Sequence, residues 1–105
     1  MPTPVQNKEE AVERLVEARQ QLLSFGVASL GLFGSFLTGQ QTPRSDIDIL
    51  VEFTPQQHSF DNFMELSFFL EDLLGRTVEL VTPEALSPYI GPQILKEVQR
   101  VPIAA

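Results

Sequence analysis

Ile47, Ile49, Val51 and Phe53 alternate with Asp48, Leu50 and Glu52, and Asp46 extends the second series by one step. A period of two marks a β-strand, whose successive side chains point to opposite faces. One face of this strand is wholly apolar and must pack, while the other carries three carboxylates and one leucine. The chain is thereby committed to a sheet with one buried side, with two aspartates at i and i+2 projecting together from the other.

Weaker signals arrange the remaining elements. Asn7 can cap a helix with Glu10 three residues on, and Val12, Leu15, Val16, Leu22 and Leu23 continue at helical spacing until Ser24-Phe25-Gly26 ends it. Ala28 to Phe33 is short, apolar and bounded by Gly26 and Gly34, which predicts a buried strand. A brief helix from Ser35 follows, then the polar connector Gln41-Thr42-Pro43-Arg44-Ser45 leading into the acidic strand. Phe60 to Leu74 reads as a helix closed by Gly75, with Phe63, Leu66, Leu70, Leu73 and Leu74 on one stripe. Phe68, Phe69 and Met64 fall off that stripe, so a neighbouring helix, a partner or a second copy is expected to cover them. A third strand, Thr77 to Thr82, precedes a turn at Pro83. A last helix opened by Pro92 carries Ile94, Leu95, Val98 and Val101 and stops at Pro102. This order predicts an α+β domain: a small sheet with helices on one face and the other face free for a site.

A chain of 105 residues, 43% apolar and 20% charged, fits a single domain spanning 1–105. The net charge of −7, with no cluster of Lys and Arg, argues against long DNA or RNA as a partner. It does not argue against a nucleoside triphosphate, because metal ions reverse the local field at an acidic site. Without cysteine there is neither a disulfide nor thiolate-bound zinc, which fits a reducing compartment. Met1-Pro2-Thr3-Pro4-Val5-Gln6 carries no basic stretch followed by an apolar core, so no export signal is read and the cytoplasm is expected. No apolar run reaches the ~20 residues of a membrane helix.

The chemistry concentrates at two places. Asp46 and Asp48 are hard oxygen donors on a strand pinned by its packed face, and no downstream Gly and Glu complete a calcium loop. Glu79 is the candidate third carboxylate, since Val78 and Leu80 take the core face of the third strand. Three such groups at ~4 to 5 Å repel by roughly 1 to 4 kcal/mol per pair unless cations lie between them, and oxygen ligands favour Mg²⁺ or Mn²⁺ over zinc. At Gly34-Ser35 a glycine lets the backbone approach a ligand closely, and the free amides of the following helix start attract phosphate oxygens.

Gly34-Ser35, the connector with Gly39, and Ser45-Asp46-Ile47-Asp48-Ile49-Leu50-Val51 resemble the signature of the minimal nucleotidyltransferase family, small members of the DNA polymerase β-like superfamily. The likeness continues through Val78-Glu79-Leu80-Val81-Thr82-Pro83-Glu84-Ala85-Leu86 and covers most of the chain from Leu30 onward. It implies a mixed sheet, with Asp46, Asp48 and Glu79 as the catalytic acids binding two Mg²⁺ ions. It also implies ATP or another NTP held at Gly34, Ser35, Arg44 and Ser45. Bacterial members often act as antitoxins that adenylylate a tyrosine of a HEPN-type ribonuclease toxin, so the implied activity is AMP transfer to a protein hydroxyl.

Two positions depart from the family. Thr38 stands where Arg is common, with Arg44 on the same connector able to supply a cation, and Glu79 replaces the usual Asp. These departures keep open a catalytically weak antitoxin that acts by binding, while transfer to a small molecule has little wall for a second pocket. His58, the one histidine, is expected at the surface, and Tyr89, the one tyrosine, is expected to pack.

Overall fold

The acidic strand forms where its alternation places it. In the computed structural model, which describes residues 3–103, a four-stranded sheet has the order β3-β2-β1-β4. Its strands are β1 Val27–Phe33, β2 Ile47–Phe53, β3 Val78–Val81 and β4 Gln99–Arg100. β2 runs antiparallel to β1 and parallel to β3, and β4 pairs antiparallel with β1. The sheet is therefore mixed, with Asp48 on central β2 and Glu79 on its parallel neighbour β3. Residues 1, 2, 104 and 105, which include the start of the segment read for an export signal, lie outside the described residues.

The five helices are α1 Lys8–Glu17, α2 Arg19–Ser24, α3 Ser35–Thr38, α4 Phe60–Leu74 and α5 Gly91–Glu97. The single first helix read from the sequence is broken at Ala18, whose φ of −93° and ψ of 14° leave the helical region. Its start is as expected: the Glu10 amide donates to Asn7 Oδ1 at 2.9 Å, and Glu10 Oε1 accepts from the Gln6 amide at 2.9 Å. α4 begins with its Asn62 amide donating to Ser59 Oγ and ends at Gly75, in the left-handed region at φ 68°.

Ile47, Ile49 and Val51 pack with Leu30, Leu32, Val78 and Leu80 against Leu15, Leu22, Leu66, Leu70 and Leu74. The opposite face is open near Asp48 and closes further along, where Leu50 is buried and Val98 sits over its register partner Gly31.

Beside the break at Ala18, two expectations need correction, those for the last helix and for Tyr89. The last helix ends at Glu97 rather than running to Pro102, and Gln99–Arg100 become the edge strand β4. That pairing, extended by the Val101 amide donating to the Leu30 carbonyl at 2.8 Å, delivers Val101 and Ile103 to the core. Phe69 packs on Phe25 with ring centroids 5.3 Å apart, so of the off-stripe phenylalanines Phe68 stays in solvent, 59% exposed. Tyr89 is 91% exposed, not packed. His58 is exposed, as expected, with its ring stacked on Phe53.

The two sides of α4 should respond differently to truncation. Leu70→Ala should cost about 2–5 kcal/mol in urea unfolding, the range for deleting a buried leucine side chain. Phe68→Ser should stay within about 0.5 kcal/mol, as surface changes do.

Candidate active site

Register brings the acids together. Asp48 lies opposite Glu79 across the parallel β2–β3 pair, so both side chains leave the same face of the sheet. Asp46 precedes the strand by one residue and is exposed, as is Glu79, while Asp48 is half-buried. Burial, the hydrogen bond to Glu79 and the negative charges of Glu79 and Asp46 together push the Asp48 carboxyl up from 3.8 to about 6.

Gly34 completes the cradle from β1. Its φ of 73° and ψ of −154° form a combination essentially restricted to glycine, and a Cβ there would collide with Oδ2 of Asp48. The Leu37 and Thr38 amides close on the Gly34 carbonyl at 3.0 and 3.1 Å. The Ser35 and Phe36 amides thus stand ahead of the first helical hydrogen bond, beside the carboxylates.

The connector residues are placed less directly. Ser45 Oγ accepts from the Thr42 amide at 2.8 Å, and the Ser45 amide donates back to the Thr42 carbonyl at 3.0 Å. Its hydroxyl is engaged inside the turn. Arg44 is exposed and lines an open groove of about 300 Å³ with Ser45, Asp46, Gly75, Arg76 and Thr77. Thr38, where a cation was looked for, donates its hydroxyl to the Ser35 carbonyl at 3.4 Å.

Sequence reasoning missed Arg76. It donates from Nε to the Val5 carbonyl at 2.6 Å and from Nη1 to the carbonyls of Thr42, Pro43 and Ser45 at 3.1 to 3.3 Å. Its guanidinium also lies over the Phe36 ring, 4.9 Å from the centroid. Backbone carbonyls leave no trace in residue identity, so no motif announces such a residue.

Among the described residues, no three His, Cys, Asp or Glu side chains are gathered closely enough to hold a metal ion unaided. The donor set nonetheless fits magnesium. That ion takes one or two carboxylates and completes its shell with waters and substrate phosphates, rather than with an all-protein cage.

Comparison with known proteins agrees with this architecture. The nucleotidyltransferase domain family matches residues 12–101. Protein adenylyltransferase MntA of Thermococcus cleftensis is 40% identical over 91 residues, covering 85% of this chain and 91% of that one. A solved structure described as a minimal nucleotidyltransferase superposes with a TM-score of 0.75 at 29% identity, covering 90% of this chain and 95% of the other. A chain from the complex of tri-AMPylated Shewanella oneidensis HEPN toxin with MNT antitoxin shares the fold, with a TM-score of 0.54 at 20% identity over 81% of this chain and 69% of that one. The glycine turn, the paired aspartates and the third acid thus sit in a frame with known relatives, and this chain belongs to the nucleotidyltransferase domain family as one of its minimal members.

Proposed function

We propose that the chain transfers AMP from ATP to a hydroxyl of a partner protein, and that the partner is a HEPN-type toxin for which this chain is the antitoxin. The observation that carries the reading is the closeness of the Gly34 turn to Asp48, whose register partner across β2–β3 is Glu79, which sets a glycine turn beside two carboxylates on one face of the sheet. The adenylyltransferase relative and the antitoxin complex of the same fold support the acceptor class.

Asp46, Asp48 and Glu79 would hold two divalent ions, Mg²⁺ or Mn²⁺, which when bound supply charge neutralisation on the triphosphate and activation of the acceptor hydroxyl. The chain's own groups do the rest. Gly34 admits the triphosphate, and the Ser35 and Phe36 amides orient its β- and γ-phosphate oxygens. Arg44, exposed on the connector beside Asp46, supplies a cation for the phosphates in place of the one absent at Thr38; Ser45 serves chiefly by shaping the turn that carries it. The acceptor oxygen bonds to the α-phosphorus, the bond to the bridging oxygen breaks, pyrophosphate leaves and the hydroxyl proton passes to solvent. A proton that Asp48 holds below its raised pKa must leave as a cation arrives, so cation binding is coupled to pH.

A second reading has its own support. Thr38 offers no cation, and Phe60 and Phe68 are 77% and 59% exposed, a surface suited to holding a partner without modifying it. If Asp46→Asn combined with Asp48→Asn still protects cells from the toxin, binding alone accounts for the protection.

With labelled ATP, Mg²⁺ and the toxin, the wild type should label the toxin, and Asp48→Asn should lose more than about 100-fold in rate, the upper scale for disturbing a metal's surroundings. Equal labelling by the variant would reject the catalytic assignment.

The pH behaviour of the metal-free protein should carry the mark of Asp48. Its folded pKa of about 6 lies above the ordinary 3.8, so between these values the folded chain binds a proton that the unfolded chain has released. Stability from this group is complete below the lower value and is lost as pH rises through the upper one. Asp48→Asn, whose amide can donate to Glu79 at any pH, should therefore melt above the wild type at about pH 7.5, with the gap narrowing towards about pH 5. A constant gap across that range in thermal melts would contradict the shift.

A further inference from the structure

We infer that Arg76 is a positioning residue for this site: its guanidinium latches the connector that delivers Asp46 to β2, and its loss weakens the site's hold on a divalent cation while leaving the fold standing. The inference rests on the metal-dependent reading above and assigns it a residue whose donors are engaged by backbone carbonyls.

Arg76 lies where the three site-bearing segments meet. Through Phe36 it contacts the helix that follows the Gly34 turn, and through the Thr42, Pro43 and Ser45 carbonyls it holds the connector up to the residue before Asp46. By chain it is three residues from Glu79, and the adjacent Thr77 carbonyl accepts from the Ile47 amide at 3.0 Å. The Val5 carbonyl adds the amino-terminal segment from the far side. A connector of polar residues and one proline has little core of its own, so its position depends on such contacts.

The bonding pattern separates this role from charge neutralisation. Arg76 has backbone carbonyls as its hydrogen-bond acceptors, and among the described residues the one ion pair is Arg100–Glu52 at 3.7 Å. Arg76, which lines the same groove as Asp46, thus spends its donors on carbonyls and leaves the site carboxylates without an ion pair among the described residues. The pattern also requires arginine. Its planar fork donates in two directions while its face stacks on an aromatic ring, whereas a lysine ammonium is a single point on a flexible stem.

Hydrogen–deuterium exchange of the full chain tests the latch without metal or activity. In Arg76→Met, exchange across residues 40–46 should rise about tenfold while the α4 core over residues 66–74 keeps its protection, as expected for a local opening. Mn²⁺ binding in the presence of a non-hydrolysable ATP analogue, read by electron paramagnetic resonance, should weaken by about 10- to 100-fold, the range for residues that orient metal ligands. Arg76→Lys should move both readouts in the same direction by less, and it carries the test if the methionine variant does not fold. Wild-type Mn²⁺ affinity in a folded Arg76→Met, or protection lost equally in the connector and α4, would overturn the inference. A wild-type chain that takes up no Mn²⁺ would instead overturn the metal-dependent reading itself.

Discussion

Asp48 is held where its charge is least welcome. Parallel pairing of β2 with β3 fixes Glu79 opposite it, the half-buried surroundings penalise ionisation, and Asp46 adds a further negative field. Only glycine can occupy position 34 against such a carboxyl, because any Cβ would collide with it. The strand register produces this crowding, and the glycine turn accommodates it. The crowding raises the free energy of the ionised site and so favours the protonated form of Asp48, whose carboxyl is pushed up to about 6. The family to which the chain belongs is that of the nucleotidyltransferase domain.

The central part of this arrangement could be read from residues alone. β2 alternates over seven residues with Leu50 as the one apolar residue in its acidic series, and the structure reproduces its limits, Ile47 and Phe53. α4 is equally legible because Ser59 caps it, Gly75 ends it and its leucines keep the period. Glu79 could be placed beside Asp48 by parity, since Val78 and Leu80 had to face the core. These features share a cause: the information lies within one segment, or in the alternation of one strand.

What was not legible depends on partners distant in sequence. Gln99-Arg100 has no strand character of its own, being polar and two residues long, and exists as β4 because β1 offers an unpaired edge. Phe68 and Phe69 are identical in kind, and their opposite fates are decided by the position of Phe25. Tyr89 was expected to pack because large aromatics usually do, but its segment stands clear of the core. Arg76 was invisible because its acceptors are carbonyls, which every residue possesses.

The sheet order leaves β3 outermost, four residues long, with no strand on its far side. An open edge of that kind invites another chain to add itself, and proteins commonly deter this with a charged side chain in the middle of the rim. Glu79 occupies that place among Val78, Leu80 and Val81. One carboxylate therefore stands at two places at once: it faces Asp48 across the ladder, and it puts a charge on the margin of the sheet, where an apolar residue would leave the rim an uninterrupted hydrophobic row open to a further strand.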